Sequence, residues 1–482
     1  MIQARHMDWT VSDIQAATQG HLVCGNPALR FSEIGIDSRT LASGAFFVAI
    51  AGQTHDGHQF AESVIQRGCR GVLLQANQVN RMPIEAWQAA QVVCISVADT
   101  TQALGDLAAY HRKRAGVGVV AITGSNGKTS TREMTAFVVA EKFNTLTTMK
   151  NFNNEIGLPL TLFRLTAGHE WVVAELGMNH PGEIRRLGAI CRPNIGVITN
   201  IGPAHLENLG SLNGVMAAKG ELLEAIEPKG TAVLNADDPR CLKLADHVSH
   251  EVLLFGLSEA AHIRAVNLRE KGRATAFTLQ LPEAKLNVEL NAPGRFMVSN
   301  ALAAAAVGVR LGISPEGIKS GLERFKAVSG RATVLDTAAG IYVIDDTYNA
   351  NPGSMAAAIA MLATLGKGAR CFLAVGDMLE LGPQAAALHR EIGEQAARAG
   401  LYRIGATGQF ATDLADGALA GGMAPAGIVV GTRQELLADF KQQLTSGDWV
   451  LVKGSRSMAM ESISNDLVAW AGGPATPKPT AG

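Results

Sequence analysis

The chain has 482 residues, too many for one hydrophobic core of ordinary size, and a prior of about 150 residues per domain predicts three domains. A net charge of −1 provides no basic field for nucleic acid, so we expect no nucleic-acid partner. No segment reaches the roughly 18 apolar residues of a membrane span, and the first residues lack the apolar core of a signal peptide. The six cysteines form no C-x-x-C pair, which argues against a zinc site and against a disulfide framework. We therefore expect a cytoplasmic protein without membrane insertion.

The first 112 residues are predicted to form a separate binding module. Apolar runs at 46–50 and 71–74 predict two strands, and a polar, glycine-rich loop at 52–57 lies between them. The pattern differs from the strand and helix alternation that follows, which places a domain boundary near residue 112.

A glycine-rich turn follows the first strand, 117–122, of the second predicted domain, 113–327. The turn opens a helix and consists of small and polar residues: Gly124, Ser125, Asn126, Gly127, Lys128, Thr129 and Ser130. Backbone N–H groups and the positive helix end can enclose phosphate oxygens there. Lys128 would reach the terminal phosphates, and the Thr129 hydroxyl would face a magnesium ion. The motif therefore predicts ATP as a ligand.

The turn is shorter than a standard P-loop, because Ile122 stands where that pattern has its first glycine. An ordinary strand-to-helix turn is the alternative interpretation. Such turns rarely combine Gly-Lys-Thr with an adjacent glycine and asparagine, so the phosphate site is the better interpretation.

Four more apolar runs follow in this domain, at 171–175, 195–199, 231–234 and 252–255. Helical stretches separate them, which predicts a parallel sheet. Polar residues stand at or near the strand ends, where a ligand meets an open α/β sheet. Taken singly, Glu175 would also fit a strand-end cap, His205 a loop histidine and Lys219 a solvated helix face.

A second α/β unit is predicted at 328–471, with strands at 341–344, 371–375 and 449–452. Dense polar turns follow these strands, at 345–355, 376–382 and 453–457. The glycine- and proline-rich residues 472–482 predict a disordered tail.

These segments resemble the Mur ligases of bacterial cell-wall synthesis, and the resemblance covers nearly the whole chain. It implies an α/β fold of three domains: an N-terminal UDP-substrate module, a central P-loop-type ATPase domain with a parallel sheet, and a C-terminal Rossmann-like domain. It also implies an ATP-dependent enzyme that joins an amino acid or dipeptide to a UDP-muramoyl peptide. The ATP contacts would come from the glycine-rich turn together with Asn300, Arg331 and Asp346.

Two magnesium ions are implied by the same resemblance. Thr129 and Glu175 would hold one ion, and His205 the other. Lys219 matches the family's carbamylated lysine, whose carbamate would supply an oxygen ligand. Carbon dioxide attacks only the neutral amine, and neutralising an ordinary lysine at pH 7 costs about 4.6 kcal/mol, so Lys219 would need a partly buried setting. The implied catalytic residues are Lys128, His205 and Lys219.

The family's substrate contacts can also be carried over. UDP-substrate binding would involve Ser38, Arg39, Asp56 and His58, although a surface turn would use Asp-Ser-Arg equally well. The peptide or acceptor contacts would be made by Asn154, Asn349, Asn351, Lys453 and Ser455. Phe296 stands where the family usually has histidine, so a polar contact is not expected from that position.

Within the family, the segments 177–184, 345–352 and 376–382 resemble the member that adds D-alanyl-D-alanine to UDP-N-acetylmuramoyl-tripeptide. The D-N-P-R signature of the diaminopimelate-adding member is absent from the last third of the chain. We expect a monomer with these two substrates. The alternatives are another Mur-type or folylpolyglutamate-type ligase, or a protein in which ATP closes the domains without ligation.

Overall fold

The computed structural model describes residues 7–52 and 55–474, and it confirms the predicted three-domain α/β architecture. The elements of the first domain are β1 (Trp9–Thr10), α1 (Val11–Thr18), β2 (His21–Cys24), β3 (Arg30–Phe31), β4 (Ile34–Gly35), β5 (Phe46–Val48), α2 (Ala61–Gln66), β6 (Gly71–Gln75), α3 (Ile84–Ala89), β7 (Val93–Val97) and α4 (Thr100–Ala115). Its main sheet has the order β2-β7-β6-β5-β4, and only the β2–β7 pair is antiparallel.

Helix α4 joins the first domain to the second. It runs across the predicted boundary at residue 112 and packs against α1 on one side and against helices of the next domain on the other. Asp99 caps its first turn, and Gly116 ends it in a left-handed conformation. The residues at which we place the domain boundaries therefore stay a prediction.

The central domain is built on a nine-stranded sheet. Its elements are β8 (Gly118–Thr123), α5 (Lys128–Val139), β9 (Thr145–Thr147), α6 (Gly157–Leu162), β10 (Trp171–Glu175), α7 (Glu183–Cys191), β11 (Ile195–Ile198), α8 (Leu206–Leu209), α9 (Leu212–Glu224), β12 (Thr231–Asn235), α10 (Pro239–Ala245), β13 (Glu251–Gly256), β14 (Ile263–Lys271), β15 (Ala274–Gln280), β16 (Lys285–Leu290), α11 (Arg295–Arg310) and α12 (Pro315–Glu323). The strand order is β16-β15-β14-β13-β12-β11-β8-β10-β9.

The strands predicted between residues 117 and 255 form a parallel sheet, as expected. Strands β8 to β13 pair in parallel and β14 joins β13 in parallel, whereas β14, β15 and β16 form antiparallel hairpins that were not predicted from the sequence. Buried and half-exposed residues alternate along β15, as expected for a strand with one solvated face. Gly272, with φ of 59°, supplies the left-handed residue in the tight turn between β14 and β15.

Strand β8 is the switch point of the sheet, because the next two strands of the chain, β9 and β10, lie on one side of it and β11 begins the other side. The carboxyl ends of these three strands therefore open a crevice where a ligand can enter. Helix α11 is apolar on all sides, since it packs between α5 and the sheet, and its alanines allow that close approach.

The third domain has a six-stranded sheet of order β17-β18-β22-β19-β20-β21, parallel except for β17. Its elements are β17 (Thr333–Asp336), β18 (Tyr342–Asp346), α13 (Pro352–Leu365), β19 (Cys371–Val375), α14 (Ala385–Arg398), β20 (Arg403–Ala406), α15 (Ala411–Ala420), β21 (Ile428–Val430), α16 (Arg433–Gln443), β22 (Trp449–Lys453) and α17 (Glu461–Trp470). The carboxyl ends of β18, β19 and β22 face the central domain.

The predicted tail requires a correction at its start. Gly473 accepts a backbone hydrogen bond from Ala338, and Pro474 forms a bridge with Thr337. Residues 472–474 therefore pack on the third domain. The remaining tail residues, 475–482, lie outside the described residues. No helix within the described ranges is long and apolar enough to cross a membrane.

Candidate active site

A cleft of about 750 Å³ lies between the central and third domains, within the usual range for small-molecule sites. It gathers predicted residues from segments that are far apart in sequence: Ser125, Asn126, Gly127, Lys128, Ser130, Asn154, Glu175, His205, Asn300, Arg331, Asp346, Asn349, Asn351, Lys453 and Ser455. The wall is formed by the carboxyl ends of strands from both sheets. Gly124, Thr129 and Lys219 lie behind this wall rather than on it.

The two glycines of the turn between β8 and α5 are required by the space around them. Gly124 has φ of 149°, and a Cβ there would lie 1.9 Å from Oγ1 of Thr199. Gly127 has φ of 80°, and its Cβ would lie 2.2 Å from Oδ1 of Asn300. Asn126 donates its backbone N–H to the Asn200 side chain at 2.9 Å. The turn is therefore held open and close to its neighbours, as a phosphate cradle requires.

Lys128 and Arg331 bring two positive charges to this turn. Nζ of Lys128 donates to the carbonyl of Gly124 at 2.8 Å, so the lysine folds back over the turn. Burial lowers the pKa of Lys128, the Glu175 charge opposes this shift, and Arg331 adds to it. Arg331 donates to the Thr129 hydroxyl at 2.9 Å, and its guanidinium lies 3.9 Å from the ring centre of Tyr348. A cation on Thr129 therefore requires Arg331 to move.

Glu175 provides a buried acceptor at the end of β10 that lacks a hydrogen bond from any described residue. It is only 2% exposed, so the strand-end cap interpretation leaves part of this side chain unexplained. One oxygen accepts from Nδ2 of Asn153 at 2.8 Å, while Oε2 is buried without a hydrogen bond and lies 3.8 Å from Arg132. A buried carboxylate oxygen of this kind is suited to a cation.

Lys219 is buried, so the interpretation as a solvated helix face was wrong. It is 1% exposed on α9, and no hydrogen bond or ion pair to its Nζ is formed by the part of the chain that is described. Burial lowers the pKa of Lys219 well below its ordinary value, and the charge of Lys128 lowers it further. The amine therefore reaches the neutral form far more readily than a surface lysine does.

His205 is paired across the domain boundary rather than free in a loop. Its Nδ1 lies 2.5 Å from Oε2 of Glu380, in the turn after β19 of the third domain. The hydrogen bond to His205 is the main cause that lowers the pKa of the Glu380 carboxyl. Within the described ranges, no three His, Cys, Asp or Glu side chains form a cluster that could hold a metal. A cation here would need oxygen atoms from bound phosphate, water or a modified lysine.

Asp346 and Lys453, predicted for different ligands, bind each other. Nζ of Lys453 lies 2.5 Å from Oδ2 of Asp346 and also donates to the carbonyl of Asn349 at 3.0 Å. Lys453 is only 1% exposed and lines the cleft, and its predicted contact with the peptide or acceptor stays a prediction. The pair fixes the ends of β18 and β22 against each other.

The amide side chains of the site also serve local structure. Asn351 caps α13 by accepting from the N–H of Ser354, and its Nδ2 donates to Oδ1 of Asn126 at 2.7 Å across the cleft. Asn154 caps α6 through the N–H of Gly157 at 2.8 Å. The exposed Asn349 accepts from its neighbour Ala350. Asn351 therefore joins the third domain to the glycine-rich turn.

Three further residues lie where the sequence predicts contacts. Asn300 is buried on α11 beside Gly127, and Phe296, one turn earlier, lines the cleft with an apolar ring. Ser455 is buried, and its hydroxyl accepts from the N–H of Leu379 at 2.9 Å. The Phe296 ring presents no polar group to the cleft, as expected from the residue type at this position.

The predicted UDP-substrate residues lie outside this cleft, which no described residue before 113 lines. Arg39 is exposed and forms a two-bonded ion pair with Asp37, whose pKa is lowered to about 2 by the hydrogen bonds from Arg39. Ser38 lies between them. The exposed Arg39 guanidinium is thus already paired with a carboxylate in this structure, and its contact with the UDP substrate stays a prediction.

The prediction that the His58 side chain contacts a substrate was wrong. His58 is buried, its Nε2 accepts from the N–H of Gln75 at 3.0 Å, and its Nδ1 lies 2.6 Å from Asp56. Since Nε2 accepts, the ring proton must be on Nδ1 and is donated to Asp56. The contact fixes the loop before α2 and leaves no free nitrogen on the His58 ring, whereas the partly exposed Asp56 keeps Oδ2 free of hydrogen bonds from the described residues.

Sequence reasoning missed four residues of the site: Arg132, Asn153, Tyr348 and Glu380. Tyr348 lies in the polar turn at 345–355, and Asn153 directly precedes the predicted Asn154, so in both cases neighbouring residues were chosen. Arg132 follows the phosphate turn on the buried face of α5. Only the folded structure shows that Glu380 meets His205.

Three domain models of one known protein family match consecutive parts of this chain. The models of the Mur ligase family catalytic domain, the Mur ligase middle domain and the Mur ligase glutamate ligase domain match residues 30–112, 122–308 and 330–456. The UDP-N-acetylmuramoyl-tripeptide–D-alanyl-D-alanine ligase of Escherichia coli (strain K12) is 40% identical over 433 residues, 89% of this chain and 92% of that protein. The chain belongs to the Mur ligase family.

Two solved structures extend the similarity of this Mur ligase. A crystal structure of MurF from Acinetobacter baumannii has a TM-score of 0.87 at 33% identity and covers 96% of this chain and 100% of that one. MurF ligase from Thermotoga maritima in complex with ADP has a TM-score of 0.80 at 26% identity, with coverages of 90% and 96%. Mur ligases of this kind are ATP-dependent, in agreement with the phosphate turn.

The cradle predicts a specific effect of substitution in this Mur ligase. Gly127→Ala should lower ADP affinity at least about tenfold, because the new Cβ would collide with Asn300 in a left-handed backbone. Titration calorimetry with ADP measures this. Gly182→Ala is the matched control, since Gly182 also precedes a helix at φ of 88° but has open space around it. Equal affinity of both variants would contradict the cradle assignment.

Proposed function

We propose that this Mur ligase joins D-alanyl-D-alanine to UDP-N-acetylmuramoyl-tripeptide, with hydrolysis of ATP to ADP and phosphate, in cytoplasmic peptidoglycan precursor synthesis. The observation that carries the proposal is the cleft that joins the phosphate turn of β8 to polar strand ends of the third domain. The names of the relatives with high coverage support the choice of substrates. The free, buried cysteines fit a reducing compartment.

ATP would bind with its phosphates on the turn at Gly124 to Thr129. Lys128 would turn from the Gly124 carbonyl to the terminal phosphate, and Arg331 would leave the Thr129 hydroxyl to do the same. Both movements replace a hydrogen bond to protein with a stronger one to an anion. The Asp346 carboxylate, already oriented by Lys453, would accept from the ribose.

The residues present fit magnesium at two positions. Thr129 and Oε2 of Glu175, which accepts no hydrogen bond within the described residues, would hold one ion, and His205 with a carbamate on Lys219 would hold another. Burial lowers the pKa of Lys219 and so favours the neutral amine that takes up carbon dioxide, and the product would be an anionic oxygen ligand. When bound, the ions neutralise the charge that develops on the phosphoryl oxygens.

In the proposed reaction, the terminal carboxylate of the tripeptide attacks the γ-phosphorus of ATP, and the bond to the bridging oxygen of ADP breaks. The free amine of the dipeptide then attacks the acyl carbon, phosphate departs, and the amine loses a proton as the amide forms. Lys128 and Arg331 stabilise negative charge on the transferred group. The contact between Asn351 and Asn126 brings the third domain over the turn, which keeps water from the acyl phosphate.

The first domain would bind the UDP group through the turn at Ser38 and Arg39. Arg39→Ala should raise the KM for the UDP substrate about tenfold and leave ADP affinity unchanged, because Arg39 lies outside the cleft. Steady-state kinetics measures this against Arg30→Ala, which removes another exposed arginine of the same domain. An unchanged KM would mean that the turn is only a surface turn.

Phosphate release by the purified chain tests the proposed function. Mg-ATP and UDP-N-acetylmuramoyl-tripeptide are supplied with and without D-alanyl-D-alanine, and single amino acids and folate with glutamate are compared. Release that requires both cell-wall substrates is the expected result. Phosphate release with another substrate pair would show that the chain is a different Mur-type or folylpolyglutamate-type ligase. No release with any pair would favour a protein in which ATP closes the domains without ligation. Light scattering tests the proposed monomer.

A further inference from the structure

The contact between His205 and Glu380 joins two domains at the edge of the cleft. His205 follows β11 in the central domain, and Glu380 follows β19 in the third. Their side chains meet at 2.5 Å, and the backbone N–H of Glu207 donates to the carbonyl of Glu380 at 3.0 Å. Both His205 and Glu380 line the cleft. A side-chain bond and a backbone bond therefore fix the same pair of turns.

Both partners hold a backbone conformation that non-glycine residues seldom adopt. His205 has φ of 55° and Glu380 has φ of 61°. The left-handed region is unfavourable for residues with a Cβ, and such residues concentrate at functional sites. Gly382, also left-handed, lies with its Cβ position 3.4 Å from Cα of Glu207, which leaves little space between the turns. The two turns are therefore shaped to bring these side chains together.

The direction of the hydrogen bond places one proton of the imidazole. The Glu380 carboxylate can only accept, so Nδ1 of His205 carries a proton, and in the neutral ring Nε2 is then the nitrogen with the lone pair. No described residue bonds to Nε2, and the ring lies on the cleft wall. A carboxylate behind a histidine fixes the ring and raises its basicity as a ligand, and loss of such a partner costs 10–100-fold in metal affinity or activity.

We propose that Glu380 is a positioning residue for the ligation: it holds His205 with Nε2 toward the cleft, and it does so only when the third domain is seated on the central domain. The role rests on the proposed function, in which His205 acts on the bound cation. Through this contact, the arrival of the third domain completes the site. When the third domain is away from the central domain, Glu380 no longer fixes the orientation of the His205 ring. The acyl phosphate is therefore not formed while the cleft is open to water.

The first test compares Glu380→Ala, His205→Ala and the double variant by phosphate release. Glu380→Ala should lower kcat about 10–100-fold and raise the magnesium concentration for half-maximal rate, while the KM for the UDP substrate stays within about twofold. If Glu380 acts through His205, the double variant should be no slower than His205→Ala within about threefold. A loss in the double variant equal to the product of the single losses would overturn the proposal.

Two further variants separate the positioning of His205 from a general effect on the seam, the contact between the turns at 205–207 and 380–382. Glu207→Gln removes an exposed carboxylate from the same seam, and no side-chain bond of Glu207 is lost. It should retain the wild-type kcat within about twofold. Glu380→Gln keeps an oxygen that can accept from Nδ1 and should lie between wild type and Glu380→Ala. A kcat of Glu380→Ala equal to that of Glu207→Gln would also overturn the proposal.

A binding measurement gives a second readout that does not depend on turnover. Mn²⁺ is titrated with a non-hydrolysable ATP analogue present, and electron paramagnetic resonance follows the free ion. Glu380→Ala should weaken Mn²⁺ binding about tenfold and show no additional loss when combined with His205→Ala. Unchanged Mn²⁺ affinity would overturn the positioning role. If Glu380→Ala weakens Mn²⁺ binding as expected but the wild-type chain turns over no substrate pair, the proposed function fails while the positioning of His205 toward the cation stands.

Discussion

Lys128→Ala is expected to lower the rate of ligation by about 10³-fold or more, because it removes the cation nearest to the phosphoryl group that is transferred. The lysine opens α5 at the base of the cleft, and its Nζ lies over the turn at the Gly124 carbonyl. In a buried site, a fixed positive charge stabilises the transition state far more than it would in water. Steady-state phosphate release with both substrates measures the loss.

The fold should survive this change. Lys128 contributes hydrogen bonds only to carbonyls of its own turn, and burial of its charge offsets much of what they contribute. Thermal unfolding should therefore remain within a few degrees of wild type. Lys142→Ala is the control, since Lys142 lies just beyond the other end of α5 and bonds the carbonyls of Leu311 and Gly312. Substantial turnover by Lys128→Ala would refute the phosphate-turn assignment.

Lys219→Met is expected to lower the rate by about 10²–10³-fold, because it removes the amine that would carry the carbamate and keeps most of its volume. The burial of Lys219 provides the physical reason for the modification. The amine of Lys219 has a strongly lowered pKa and no hydrogen-bond partner in the described chain. Conversion to a carbamate gives this side chain oxygen atoms that can accept hydrogen bonds or bind a cation. Kinetics at saturating substrates measures the loss.

Carbon-13 magnetic resonance separates modification from packing. After exposure to ¹³C-bicarbonate, the wild-type chain should show a carbamate signal that Lys219→Met lacks. Lys243→Met, at an exposed position on α10, should keep both the signal and the activity. The Met variant should be no less stable than wild type, since a buried amine is replaced by an apolar group of similar size. Full activity of Lys219→Met would leave that lysine with a packing role alone.

The predicted strands agree with the structure because they depend on local patterns. The runs at 171–175 and 371–375 coincide with β10 and β19, since each is a short apolar segment between polar turns. The hairpins from β14 to β16 were missed. Buried and more exposed residues alternate in β15, and no strands after residue 255 were predicted in this domain.

Site residues could be found from sequence where a single segment carries the chemistry. The turn from Gly124 to Ser130 holds glycines, a lysine and hydroxyls in one loop, so its phosphate site is visible without a fold. His58 misled the prediction, because a histidine in a polar loop has the same pattern whether its ring is free or bonded on both nitrogens. Burial decides between them, and burial depends on the neighbours that the fold supplies.

The sequence by itself determined the α/β class, the positions of the main strands along the chain and the phosphate turn, because periodicity and turn chemistry act over a few residues. Only the tertiary structure decided which charges meet. It buried Lys219, paired Asp346 with Lys453, and placed Glu380 against His205 across 175 positions of sequence. Such contacts depend on the packing of one domain on another, where desolvation and distance set the energy of each charge, and neither is written in any local segment.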